Sequence, residues 1–244
     1  MIGALAITEP EAGSDVAAIR TRAKRVDGGY LVNGAKMFIT GGVRADFLVT
    51  AARTGQEAHQ GLSFLIIDRA EGVESRAIEK LGWHASDTAL ITFDDVFVPQ
   101  ENLLGAENQG FYLIMANFQW ERLAMSLGAV GAMQVAFEQT LEWVGEVGQA
   151  TRHRLAEIAT SIEAGRDMTY AALRRHVMGE DAVREVTMAK LATQRAAFDV
   201  LDACMQLQGP GSPLERAVRD ARLGPIGGGT DEIMKEILGR SLGL

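Results

Sequence analysis

Tyr30-Leu31-Val32-Asn33-Gly34-Ala35-Lys36-Met37-Phe38-Ile39-Thr40 is the stretch that decides the architecture. It holds two runs of β-favouring residues around Asn33-Gly34, the strongest short-range hairpin signal, so a hairpin turning at those two residues is expected. Outward from it, Phe47–Ala51, Leu62–Ile67, Ala89–Phe93 and Val96–Pro99 read as further short strands, with Pro99 a natural terminator. Asp27-Gly28-Gly29, Gly41-Gly42 and Glu71-Gly72 punctuate them. Strands at this spacing predict a β barrel or sandwich.

After Asn108 the pattern changes. Phe111, Ile114, Met115, Phe118 and Met125 recur at helical spacing, and Leu123–Phe137 reads as a buried helix. Segments at about 151–178 and 181–208 are rich in Ala, Leu, Glu and Arg. A last helix is expected from about Thr230 to Gly239, entered through Gly227-Gly228-Gly229. The fold class is therefore α+β, with a β-barrel or sandwich domain over residues 1–105 and a four-helix bundle over residues 106–244. Trp83 and Trp120 are expected in the core.

The 244 residues are 47% hydrophobic and 23% charged, which excludes disorder as the main state. A net charge of −8 argues against a nucleic-acid binder. Cys204 is the single cysteine, so neither a disulfide scaffold nor a cysteine zinc module is expected, and a reducing cytoplasm suits it. Four histidines form no metal-ligand motif, and no apolar run is long enough for a membrane span. The opening residues lack the basic start of a secretory signal and read as the interior of a domain.

Stepping from Ile114 to Phe118, Glu121, Met125, Gly128 and Ala132 places one carboxylate in the middle of an otherwise apolar or small-residue helix face. A buried carboxylate either pairs or has its pKa raised, and a raised value suits a general base that takes a carbon-bound proton. Glu121 pairing with Arg175 or another bundle cation, or a helix turned so that Glu121 meets water, remains open on periodicity alone. Gly227-Gly228-Gly229-Thr230 entering a helix offers backbone N–H groups and a positive dipole end to an anion, although glycines also mark any tight turn.

Read together, three ordered motifs resemble the acyl-CoA dehydrogenase family. Ala6-Ile7-Thr8-Glu9-Pro10-Glu11-Ala12-Gly13-Ser14-Asp15 is similar to the turn that opens its middle β domain. Gly34-Ala35-Lys36-Met37-Phe38-Ile39-Thr40-Gly41-Gly42 is similar to its next flavin-facing strand, and Gly224–Ile233 to its C-terminal cofactor-closing segment. The resemblance implies FAD as cofactor. It puts Ile7 and Thr8 at the flavin pyrimidine edge, Gly13 and Ser14 where flavin and thioester meet, and Phe38, Ile39 and Thr40 along the isoalloxazine. It also puts Gln206 and Gly209 in an FAD-contacting loop across a dimer, and Thr230 and Glu232 near the adenylate half.

Most members carry the catalytic glutamate two residues before the motif threonine, where this chain has Gly228. The isovaleryl and long-chain branches use a Glu-Arg pair on the first bundle helix instead, matched here by Glu121-Arg122. The implied reaction is α,β-dehydrogenation of an acyl-CoA, with Glu121 taking the α-proton and a hydride passing to flavin N5. Gln119, Arg122, Ser14 and Gly228 fall on the substrate side, the Gly228 N–H and a flavin ribityl hydroxyl polarising the thioester carbonyl. A glutamate restored at 228 is expected to take over part of the base's work. Implied partners are an electron-transfer flavoprotein and further copies of the chain, as a homodimer or homotetramer.

The pattern also departs from the family. Its first helical domain is not matched, the Val144–Thr151 connection is short where the family has an Arg and a Phe-Gly, and Pro210 replaces a glycine N–H. A catalytically impaired member serving as an oligomerisation or interaction module is therefore the alternative expectation.

Overall fold

The computed structural model describes residues 1–244, which divide into two compact units, Met1–Ala116 and Asn117–Leu244. In the first unit, eight strands form one mixed sheet: β1 (Gly3–Ala6), β2 (Arg22–Val26), β3 (Gly29–Ile39), β4 (Phe47–Arg53), β5 (Leu62–Asp68), β6 (Val73–Ala77), β7 (Ala89–Pro99) and β8 (Leu103–Leu104). Their order is β6-β7-β3-β2-β4-β5-β8, with β1 parallel to β4. β7 and β5 are separated by three strands along that path, yet Ile91, Phe93 and Val98 share one apolar cluster with Leu65 and Ile67. The sheet therefore curls over its own core, as a barrel or sandwich domain must.

Asn33-Gly34 does not turn a hairpin. β3 runs straight through it, and the turn lies earlier, at Asp27-Gly28, where Val26 faces Gly29 across two residues. Gly28 supplies the positive φ that this turn requires. At Asn33 the pairing with β7 slips instead. Asn33 Nδ2 donates to Asp95 Oδ1 at 2.8 Å, and the Asp95 N–H returns a bond to Asn33 Oδ1 at 3.0 Å. Asp95 itself takes a φ of 48°, so the signal for a turn is used as a bulge.

A second slip, between Lys36 and Ile39, puts one extra residue on β3 against β7. Phe38 lies in it with a φ of 61°, which reverses the strand's alternation locally. Lys36 and Ile39 point into the core while Phe38 stays 60% exposed. β2 and β6 escape sequence reading because each offers few apolar residues, β2 burying only Ala23, and β1 because a four-residue run is too short to show a period.

Lys36 is fully buried and anchors the turn that follows β1. Its Nζ donates to Ile7 O at 2.9 Å and pairs with Glu9 at 2.8 Å. Glu9 also accepts the N–H groups of Arg20 and Thr21 at 2.7 and 2.9 Å, and the Met37 N–H donates to Thr8 O at 2.8 Å. Burial, opposed by the charge and hydrogen bond of Glu9, brings the Lys36 ammonium down to about 8. Burial favours a neutral Glu9 too, but Lys36, Thr21 and Arg20 together hold that carboxyl below its ordinary value.

The second unit is helical. α1 (Gly110–Val144) begins in the first unit's residues and continues into this one, followed by α2 (Gln149–Val177), α3 (Val183–Gln208), α4 (Glu215–Ala221) and α5 (Asp231–Ser241). Three long helices and two short ones thus make the bundle. Arg174, Arg175 and His176 in the last turn of α2, and Asp231 and Glu232 in the first turn of α5, match the signs of the helix ends. Ala129, Val130, Met133 and Ala136 of α1 pack with Ile158 and Ile162 of α2 and Val200, Leu201 and Cys204 of α3. Leu123 packs with Ala172, Val186 and Ala189 in a second cluster. Trp83 and Trp120 are not core residues: they are 47% and 51% exposed. No helix is long and apolar enough to cross a membrane.

The Lys36–Glu9 pair yields a stability prediction. Lys36→Met, which strands the Glu9 carboxylate in the core, should lower unfolding free energy by about 3–5 kcal/mol, and adding Glu9→Gln should recover much of the loss. Because Glu9 is held below its unfolded value, its contribution is complete above the ordinary carboxylate range and fades as pH falls through the folded-state value. Urea unfolding of the variants at neutral and acidic pH measures both effects.

Candidate functional site

The expected site residues fall into groups on each unit. On the β unit, the Met37–Thr8 and Lys36–Glu9 bonds draw the turn over residues 7–14 against the end of β3. Ile7 and Ile39 are buried and supply backbone; Thr8 is half-buried, while Gly13, Ser14, Phe38 and Thr40 face outward. Within the chain no hydrogen bond uses the hydroxyls of Thr8, Ser14 or Thr40. An exposed aromatic ring on left-handed backbone and three uncommitted hydroxyls lie on neighbouring segments. Phe38 shares this left-handed backbone with Trp83, Asp95 and Asn108.

On the helical unit, the centre is the loop before α5. Gly228 and Gly229 have φ of 63° and 96°, conformations natural only to glycine. Their carbonyls are held by two buried cations. Arg122 Nε of α1 donates to Gly228 O at 3.1 Å, and Lys190 Nζ of α3 donates to Gly229 O at 2.6 Å. Arg122 also lies over the Phe118 ring, 5.5 Å from its centroid. Burial pushes the Lys190 ammonium down, partly opposed by Asp231. Asp231 pairs with Arg195 at 2.6 Å through one oxygen, while its other oxygen, Oδ1, is buried with no partner.

The anion cradle read from the glycines is largely open: the Gly227 N–H donates to Leu223 O at 2.9 Å, but those of Gly228, Gly229 and Thr230 donate to no group of this unit. The Asp231 N–H donates to Pro225 O at 3.0 Å, and the Ile233 N–H to Thr230 Oγ1 at 3.3 Å. The Glu232 carboxyl, itself exposed, is held below its ordinary value by its own N–H and by the Thr230 hydroxyl.

Glu121 precedes Arg122 on α1. The buried stripe of that helix runs through Leu123, Ser126, Val130, Met133 and Thr140, so the face expected from Ile114 through Glu121 to Ala132 is out of phase. Gly128 and Ala132 are exposed, and Glu121 lies half-buried at the stripe's edge. It does not pair with Arg175, whose partners are Glu180 and Glu185. Its carboxylate accepts no hydrogen bond; burial raises it, and Arg122's charge only partly opposes this. Gln119 is half-buried on the same helix. Trp120 stacks on His176 of α2, centroids 5.7 Å apart, a pairing that sequence alone did not disclose.

The remaining expected residues lie elsewhere on this unit. Gln206 donates to Asp202 at 2.6 Å, and Gly209, with a φ of 81°, ends α3. From Arg195, which meets α5, to Gln206 the helix climbs ~16 Å, so Gln206 and Gly209 are not gathered with Thr230 and Glu232. The buried glutamine there is Gln208: Nε2 donates to Thr140 at 3.0 Å and its carbonyl accepts from Trp143 Nε1 at 3.1 Å. A glutamate at 228 would require the Met125 thioether to move. A Cβ on Gly228 would sit 2.5 Å from Met125 Sδ, on backbone that side chains rarely adopt.

Residues 4–96 match the family model described as acyl-CoA dehydrogenase, middle domain, and residues 108–243 the one described as acyl-CoA dehydrogenase, C-terminal domain. Long-chain specific acyl-CoA dehydrogenase, mitochondrial, of Mus musculus is 37% identical over 260 aligned residues, covering 99% of this chain. The chain spans 60% of that relative's length. The crystal structure of a probable acyl-CoA dehydrogenase from Mycobacterium abscessus superposes with a TM-score of 0.96 at 44% identity, over 99% of this chain and 69% of that one. The FAD complex of PigA superposes with a TM-score of 0.95 at 30% identity, over 100% and 68%.

The clamp on Gly228 is directly testable. Arg122→Lys keeps the charge but loses the planar fork and its Nε donor. It should cost about 1.5–3 kcal/mol in urea unfolding and speed hydrogen exchange at the hydrogen-bonded amides of Gly227 and Asp231, which flank the loop. Unchanged stability together with unchanged exchange would contradict the clamp.

Proposed function

This chain belongs to the acyl-CoA dehydrogenase family, and from that premise we propose that it serves FAD-dependent α,β-dehydrogenation of an acyl-CoA thioester with Glu121 as the general base. Residues 1–105 act as the flavin- and substrate-facing β domain, and residues 106–244 as the bundle that carries the base. The observation behind this reading is a half-buried carboxylate with no hydrogen-bond donor of its own, raised by burial, beside an arginine that grips a glycine loop.

The residues present fit the cofactor. Phe38 offers an aromatic face, and Thr8, Ser14 and Thr40 offer unused hydroxyls to a polar heteroaromatic edge. Asp231 Oδ1, a buried acceptor without a donor, suits a sugar hydroxyl near Thr230 and Glu232. FAD, when bound, supplies the acceptor for the hydride.

The chain's own part is proton transfer and carbonyl polarisation. Glu121 takes the α-proton; a carboxylate shielded from water is the stronger base for a weakly acidic C–H. The unengaged Gly228 N–H stabilises charge developing on the thioester oxygen, and Arg122 fixes that loop so the donor is in place beforehand. Gln119 and Ser14 contribute to the substrate's surroundings. The partners in this reading are an electron-transfer flavoprotein and further copies of the chain in a homodimer or homotetramer. Exposed Val135, Leu141, Trp143 and Tyr170 on the helical unit favour self-association. A buried, lone Cys204 is compatible with the cytoplasm.

A second reading, a catalytically impaired member serving as an oligomerisation or interaction module, draws on the short Val144–Thr151 connection and on Pro210, which has no N–H to offer a cofactor. The test of the first is Glu121→Gln in the FAD-reconstituted chain. Exchange of the acyl-CoA α-proton should fall by at least ~100-fold while flavin stays bound. In the unmodified chain exchange should switch on above the ordinary carboxylate range, since a raised carboxyl stays protonated to higher pH. Normal turnover by the glutamine variant would refute the assignment.

A further inference from the structure

The contact between α1 and the glycine loop carries one inference beyond the base itself. Met125 lies four residues after Glu121, hence on the same helix face one turn on, where side chains are close neighbours. Its Sδ fills the space over Gly228, 2.5 Å from where a Cβ would stand, with Cε at 3.7 Å. The main chain beneath both partners is held. The Met125 carbonyl accepts from Gln194 Nε2 of α3 at 2.8 Å, and Gln194 Oε1 lies 2.4 Å from where a Cβ of Gly224 would stand, at the loop's other end. The Gly228 carbonyl is gripped by Arg122 and that of Gly229 by Lys190. The glycine loop is thus pinned by hydrogen bonds at its carbonyls and capped by one thioether at its bare Cα.

We infer that Met125 is a positioning residue: its thioether occupies the side-chain space of position 228, keeps water and any other group out of it, and so fixes the distance between the Gly228 N–H and Glu121. This rests on Glu121 being the base, but the interlock itself does not. Methionine suits the task, since an unbranched, polarizable side chain fills an irregular gap without strain.

The experiment is a double-mutant cycle with two readouts. In thermal unfolding, Gly228→Ala should lower the midpoint strongly beside Met125 and clearly less in a Met125→Ala background, because the methyl group then has room. Equal shifts in both backgrounds overturn the interlock, whatever the chemistry. In the FAD-reconstituted chain, Met125→Ala should slow acyl-CoA α-proton exchange at least ~10-fold at unchanged flavin content, and Met125→Leu, which refills the space, should restore most of it. Exchange by Met125→Ala at the rate of the unmodified chain overturns the positioning role. If Glu121→Gln exchanges normally, the base assignment falls, and the unfolding cycle still decides whether Met125 caps Gly228.

Discussion

Two buried cations reaching into one glycine loop are the constraint on which the helical unit's site depends. A segment with two successive residues at positive φ has no side chains with which to hold itself in place. It must be held by its carbonyls, and Arg122 and Lys190 do this from two different helices. The same bonds solve the cations' own problem, since a buried ammonium or guanidinium without acceptors is costly. Glu121 is the neighbour of one of them and is not consumed by it. Arg122 spends its directed donor on the Gly228 carbonyl and acts on Glu121 only through charge, which leaves burial as the larger influence on that carboxyl.

The β unit solves a parallel problem with a bulge. A strand that alternates strictly cannot bury Lys36 and Ile39, three residues apart, on one side. The extra residue in β3 resolves this by turning Phe38 outward on left-handed backbone. The buried Lys36–Glu9 pair then ties the 7–14 turn beside that bulge. Breaking such a pair is costly even where its net contribution is small, so it works as a register pin for two segments distant in sequence. In both units a rigid frame sets out polar groups that the chain itself leaves unused.

Much of this was legible in the residues. Helix periodicity located α2 and α3 to within two residues, and Gly227-Gly228-Gly229 marked the entry to α5, which starts at Asp231 behind a Thr230 cap. Asn33-Gly34 misled because local turn preference yielded to tertiary pairing: Asp95 on the adjacent strand supplies both reciprocal bonds. The phase of α1 misled because that helix is apolar nearly all round, so Ile114–Glu121–Ala132 and Leu123–Val130–Met133 compete equally as buried stripes. Trp83 and Trp120, expected in the core, are set at exposed positions. The carbonyl partners of Arg122 and Lys190, and the seat of Met125 on Gly228, have no sequence signature; they follow from which helix turn faces the loop.

The central proposal is that these groups serve flavin chemistry on acyl thioesters. Its most direct measurement is the visible absorption spectrum of the chain after reconstitution with FAD and desalting, followed anaerobically as saturated acyl-CoA thioesters are added. The account predicts a retained flavin band that bleaches with at least one acyl chain length. A folded chain that emerges colourless, or one whose flavin band no acyl-CoA bleaches, would contradict it.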